Sequence, residues 1–458
     1  MARYYNPKPV RDLLRLAAIR RIDIAGIWNS EGNYLGHGIE NGMFNALWPR
    51  FPCYGMPMMS FLPSDPGNDA TYDQQIGPNW GSGGVEDYWH QAGDGGTLYT
   101  LAYPQRASAP AAVRTCFDVA TLSGTWGSQF PLYLSATAAG RWQAQNYNNY
   151  TTRRNPINIA NALTCTVWSA QFSSGGGSFA AVLRDSDTSP NIINLGTISC
   201  AGLDGGVTKT EGTAAADSAR SSWGGLQFFA NTFVNKVFAS WWRWAETTKT
   251  AGFALHPLYS KGSMSAYDMY TAIFALPQNT WNHIFDVMTA YQGADLSQHV
   301  AIFDINEGAN QAGEGSVAGG APQPGDSDHP DNLVWYMLQI VAQIQSFWDL
   351  SGRSLSNIAF NLRVTHPIND DTAEAEMATY RTALKAIDFT ANPRVTVMDM
   401  AEIASRAEMV ASSDYQDATH LAYSGYLRVE RKAWRGLLGD TTWRGRGHGR
   451  TRLRGRRQ

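Results

Sequence analysis

Between residues 299 and 400, apolar runs of strand length alternate with longer runs of helical spacing, and this alternation restricts the chain to few folds. "HVAIFDI" (299–305), "NIAFNLRVTH" (357–366) and "RVTVMDM" (394–400) read as buried strands. "DNLVWYMLQIVAQIQSFWDL" (331–350) and "TAEAEMATYRTALKAID" (372–388) carry apolar residues three and four apart, as helices do. Residues 265–275 and 279–291 have the same helical spacing. Strands joined through helices must lie parallel, with helices on both faces and functional groups at the carboxyl ends. The helical stretch 9–20 and the strand "IDIAGI" (22–27) have nothing else to pack against, so they are expected to join the same sheet.

The middle of the chain has another texture. Residues 50–110 are rich in Gly, Pro, Asp and Tyr with little periodicity, and read as long loops. From 111 to 245, short β-prone runs such as "NALTCTVWSAQF", "NIINLGTISCAG" and "VNKVFASWWRWAE" are separated by Gly/Ser/Asn turns without a helix. That pattern predicts an antiparallel β-sandwich, and "SSGGGS" looks like a hairpin connection within it. The aromatics of "FASWWRWAE" are expected to fill its core rather than to form a sugar-stacking platform. A chain of 458 residues with 44 glycines, 20 tyrosines, 16 tryptophans and only 16% charge suits such a β-rich insertion in an α/β domain. The expected divisions are 1–110 and 246–430 for the α/β domain, 111–245 for the insertion, and a basic tail over 431–458.

A net charge of −3 gives the body no attraction for nucleic acid or anionic membranes. The charge is uneven, since "TTWRGRGHGRTRLRGRRQ" (441–458) holds seven arginines and no acid. Such a segment cannot bury apolar area and is expected to be a disordered, solvated appendage, with binding to RNA or an anionic surface as the alternative and no other nucleic-acid site in the chain. Cys53, Cys116, Cys165 and Cys200 show no zinc-ligand spacing; Cys165 and Cys200 read equally as a disulfide or as two buried thiols. "DSDHPD" (326–331) fits no calcium-loop spacing and precedes a helix start, where acids offset the dipole, so neither metal nor cofactor is expected. No signal-peptide core or transmembrane-length run is seen.

Three loops could meet at one edge of the sheet: "WNSEGNYLGHG" (28–38), "DINEGANQ" (304–311) and "DATHLAYSGY" (417–426). Acyl transfer requires a nucleophile, a base, a carboxylate that orients the base, and donors for the oxyanion. Ser30 on a strand-to-helix turn supplies a hydroxyl, and His420 a base. Asp417, three residues earlier, would hold the imidazole tautomer. Asn310, after Gly308, supplies an amide donor, and the backbone N–H of Ser30 another. His37 and His366 read as structural histidines.

In these blocks the chain resembles the SGNH hydrolases, or GDSL-type esterases. Trp28-Asn29-Ser30 stands where that family has Gly-Asp-Ser; "KGSMSAYDM" stands in its second block, Gly308-Ala309-Asn310 in its Gly-x-Asn block, and Asp417 with His420 in its Asp-x-x-His block. The first block can also be set with Gly26-Ile27-Trp28 over Gly-Asp-Ser, which leaves no nucleophile; the setting on Ser30 keeps "IDIAGI" as a full strand. The resemblance implies a flavodoxin-like three-layer α/β/α sandwich with a parallel sheet, and metal-free ester hydrolysis on a small-molecule or polysaccharide ester. It adds the backbone of Gly262 or Ser263 to the oxyanion donors. A catalytically inactive glycan-binding relative is the alternative.

Overall fold

The computed structural model describes residues 3–28, 38–55, 73–76, 141–146, 160–170, 178–184, 191–202, 207–220, 224–230, 239–260, 266–274, 276, 278–308 and 330–439. The chain opens with β1 (Tyr4–Tyr5), α1 (Lys8–Leu16), β2 (Arg21–Trp28) and α2 (Gly38–Leu47). Eight strands follow: β3 (Asp73–Ile76), β4 (Arg141–Asn146), β5 (Leu163–Ala170), β6 (Ser178–Arg184), β7 (Asn191–Ser199), β8 (Val207–Ala214), β9 (Gly224–Ala230) and β10 (Ala239–Glu246). The α/β alternation then resumes with β11 (Gly252–Ser260), α3 (Ala266–Phe274), α4 (Gln278–Met288), β12 (Ala301–Glu307), α5 (Pro330–Leu350), β13 (Ile358–Val364), α6 (Asp371–Lys385) and β14 (Val395–Asp399). Three helices close the described chain: α7 (Met400–Ile403), α8 (Arg406–Ala411) and α9 (Tyr423–Leu437).

One six-stranded sheet has the order β1-β14-β13-β12-β2-β11, and every pairing in it is parallel except the short β1 against β14. Its parallel strands, counted along the chain, stand in the flavodoxin-like order 2-1-3-4-5, with the order reversing between β2 and β12. Successive side chains of β2 alternate between two cores: Ala25 and Ile27 pack with α3–α6, while Ile22, Ile24 and Trp28 pack with α1, α2 and α9. Helices thus cover both faces, which is why these strands are apolar at consecutive positions rather than alternate ones.

β11, like the short β1, is absent from the sequence expectations. Its "GFALHPLYS" contains a proline, and the register against β2 shifts between Pro257 and Tyr259. Proline removes a ladder donor, and β11 tolerates it because it stands at the sheet's end.

Between β2 and β11 the chain inserts two antiparallel sheets, β10-β5-β8 and β3-β4-β9-β6-β7. β3 belongs to the second, so antiparallel pairing begins upstream of residue 111. The hairpin expected at "SSGGGS" is not formed: β5 pairs with β10 and β8, and β6 with β7 and β9, so that segment joins two sheets. A glycine-serine run lacks the two-residue turn signal that would have fixed a hairpin. Cys165 and Cys200 are buried thiols rather than a disulfide. Trp244 fills the core, as expected of that strand.

β10 is fastened to the α/β domain by a buried charge. Arg243 donates to the carbonyls of Val287 (3.1 Å) and Met288 at the end of α4, and to Asp23 Oδ1 on β2 (3.3 Å). Tyr54 Oη and His256 Nε2 donate to the same Asp23 oxygen at 2.6 and 2.5 Å. Burial pushes the His256 imidazole down to about 4, so it stays neutral, while Arg243 and His256 hold Asp23 ionised against the cost of burial.

The fold also continues past the boundary expected at 430. Val429, Ala433, Trp434 and Leu437 recur at helical spacing on α9 and are buried, so the helix runs through Leu437. The arginine-rich segment from 440 lies outside the described residues. Among the described residues no helix is long and apolar enough to cross a membrane.

Candidate functional site

The carboxyl ends of the parallel strands lie side by side. Trp28, last in β2, is in register with Asn306 on β12 and Ser260 on β11, and Glu307 with Val364. Ser30 follows Trp28 by two residues, Gly262 and Ser263 follow Ser260 at once, and Asn310 follows Glu307 by three. These four lie outside the described residues; the strands leading to them are neighbours in the sheet. Gly308 opens the Asn310 segment at φ 128°, where an added Cβ would stand 2.8 Å from Val364 Cγ1, so only glycine serves there.

Asp417 and His420 form a tight turn. Asp417 Oδ1 accepts the backbone N–H of Thr419 at 2.8 Å and of His420 at 2.6 Å. The His420 Nδ1 lies 3.0 Å from Oδ2 and 3.2 Å from Oδ1 of the same carboxylate. Partial burial raises the Asp417 pKa, but the His420 and Thr419 backbone donors and the imidazole outweigh it and hold the carboxyl below its usual range. An ionised carboxylate on Nδ1 keeps the proton there and leaves Nε2 as the basic nitrogen, the tautomer a general base requires.

The turn is pinned to the sheet edge. His366 Nε2 donates to the Thr419 carbonyl (3.1 Å), and the Asn369 N–H donates to Ala418 (2.6 Å). Both lie just beyond β13, and the Thr365 N–H reaches back to Glu307 at the end of β12 (3.2 Å). Tyr415 Oη donates to the Pro367 carbonyl at 2.5 Å. The sequence expectation of a structural His366 agrees with this bond and with its edge-on contact to Tyr426, centroids 5.7 Å apart.

Burial pushes His366 down to about 3. It is neutral when folded, whereas an unfolded histidine titrates near 6.5. Its contribution to stability is therefore full above about 6.5 and is lost as pH falls toward 3, by up to about 1.4 kcal/mol per pH unit. Urea midpoints measured between pH 7 and 5 should fall, and the fall should be smaller in His366→Gln.

Sequence reading missed the polar layer beneath this edge. Asp304 Oδ2 accepts from Trp28 Nε1 (2.7 Å) and Arg363 Nη2 (2.6 Å), and Oδ1 from Asn361 Nδ2 (2.6 Å). Arg363 Nη1 donates to Glu430 Oε1 on α9 (2.6 Å). One signal was present: a charge inside a buried-strand run needs a partner, and "AIFDINE" holds Asp304 and Glu307 while "IAFNLRV" holds Arg363. Trp28 itself is a core residue, 1% exposed.

No family model matches the sequence, and no curated protein matches it. Among solved structures, a peptidoglycan O-acetylesterase aligns over 94% of this chain and 94% of its own, at 10% identity and TM-score 0.52. The chain shares its fold with that O-acetylesterase. A family two carbohydrate esterase from Clostridium thermocellum aligns over 67% of this chain and 94% of its own, at 8% identity and TM-score 0.27. The edge where the Asp417–His420 turn sits is the carboxyl edge of the parallel sheet, on the side where strand order reverses between β2 and β12.

Proposed function

We propose that the chain is a serine esterase that removes acyl groups, acetyl foremost, from a carbohydrate. The observation that carries this reading is the Asp417–His420 pair, an imidazole with its Nδ1 on an ionised carboxylate, held at the edge where β2, β11 and β12 end together. In the proposed mechanism His420 Nε2 takes the Ser30 proton as the hydroxyl attacks the ester carbonyl. The tetrahedral oxyanion is held by the N–H of Ser30, the N–H of Gly262 or Ser263, and the Asn310 amide. His420 then gives its proton to the departing alcohol, and water repeats the cycle on the acyl-enzyme. The peptidoglycan O-acetylesterase, aligned over nearly the whole of both chains, supports an acetyl ester on a glycan.

Two features suit a polymeric substrate. The antiparallel sheets of the insertion are read as a β-sandwich able to hold glycan. On α3 and α5, the rings of Tyr267, Tyr270, Phe274, Trp335 and Tyr336 touch one another, with centroids 5.0 to 5.6 Å apart. Tyr267, Phe274 and Trp335 are 44–47% exposed, a surface on which a sugar face can stack. Trp335→Ala should raise KM several-fold for an acetylated polysaccharide and leave p-nitrophenyl acetate kinetics unchanged.

A fluorophosphonate probe tests the proposal. Covalent labelling confined to Ser30 supports it. Absence of labelling with glycan binding intact would replace it with a binding protein that keeps the scaffold without the chemistry.

A further inference from the structure

We infer that the buried series Trp28–Asp304–Arg363–Glu430 is a positioning device that sets the Ser30 segment against the His420 segment; this inference rests on the esterase reading. Trp28 is two residues before Ser30, and Glu430 lies on α9, which begins at Tyr423, three residues after His420. Between them run three bonds of 2.6 to 2.7 Å: indole to Asp304, Asp304 to Arg363, and Arg363 to Glu430. Each of the four residues is 3% exposed or less. Trp434 Nε1, also on α9, donates to the second Glu430 oxygen at 3.2 Å.

Two close approaches make this linkage rigid. The Trp28 ring lies over Gly26, where an added Cβ would stand 2.1 Å from Cζ2, so the indole is held against its own strand. Gly42 on α2, the helix after the Ser30 segment, would place a Cβ 2.3 Å from that of Glu430. The two elements that flank the Ser30 segment in sequence, β2 and α2, are therefore both registered against α9.

Stability alone does not call for this arrangement. Well-packed apolar side chains often replace a buried ion cluster at no loss, whereas directed hydrogen bonds define one relative placement of strand and helix. A displacement of about 1 Å between a nucleophile and its base is enough to cost about 100-fold in rate.

Trp28→Phe keeps the ring and removes the indole N–H. The expected result with p-nitrophenyl acetate is a kcat lower by about 10- to 100-fold and a KM within about twofold. Fluorophosphonate labelling should reach the same final stoichiometry as in the parent but at a rate reduced in step with kcat. The final stoichiometry counts folded sites, so loss of fold alone would lower it and leave the rate per site unmoved. Glu430→Met, which removes the oxygen that accepts from Arg363 at the far end of the series, should give the same pattern and serves if the first variant does not fold. Ile344→Val, a core change on α5, should alter neither rate.

If both variants keep the parent's kcat and labelling rate while Ser30→Ala is inactive, the positioning role is overturned and the esterase reading stands. If Ser30→Ala hydrolyses the ester as well as the parent, the esterase reading falls and the positioning role with it.

Discussion

Replacing Ser30 with alanine is expected to lower ester turnover by about 10⁴-fold or more, since the members of such a triad act as one unit and loss of the nucleophile removes the covalent route entirely. The same substitution should abolish fluorophosphonate labelling without shifting the urea midpoint. Asp417→Asn should lose about as much turnover, because an amide on Nδ1 permits the wrong imidazole tautomer. Asn310→Ala should fall short of both, at about 100- to 1,000-fold, the usual cost of one oxyanion donor. Steady-state kinetics on p-nitrophenyl acetate would rank the three. Near-normal turnover by Ser30→Ala would refute the assignment of the nucleophile.

The largest effect on stability is expected at Arg243, far from the chemistry. Arg243→Ala leaves the Asp23 carboxylate fully buried without the guanidinium that donates to it, and it frees two carbonyls at the end of α4. Breaking a buried pair from one side costs about 3–5 kcal/mol. The urea unfolding midpoint should drop accordingly. The double variant Arg243→Met/Asp23→Asn should recover part of the loss, because the unpaired charge is then gone. A midpoint within experimental error of the parent's would show that Arg243 does not fasten β10 to the α/β domain.

Four central strands (β2, β12, β13 and β14) and the helices α1 and α3–α6 were legible because each buries one or two faces against a continuous core, whereas α2 and α9 were not expected. "IDIAGI" and "RVTVMDM" are apolar at successive positions, as central parallel strands must be, and their ends fall within about two residues of those in the structure. β11 was not legible, because Pro257 and the buried His256 break the apolar run at a place where only an edge position and the partner Asp23 make them tolerable. The Asp417–His420 pair could be read because its geometry is local: three residues and one turn bring imidazole and carboxylate together. Asp304 and Arg363 could not be assigned partners, since their contacts join strands far apart in sequence, and spacing along a chain says nothing about register across a sheet. The same holds for Arg243, which sequence reading passed over among the tryptophans beside it.

The position of β2 has a consequence for how the chain is made. β2 lies between β11 and β12, and both of those strands come from beyond residue 250. While the ribosome is still producing the insertion, an eight-residue strand buried along almost its whole length in the finished protein has no partner. Pairings so distant in sequence form slowly, and an unpaired apolar strand is prone to join another chain. Recovery of native protein should therefore depend on chain concentration and chaperone supply during synthesis more than on the final stability of the fold.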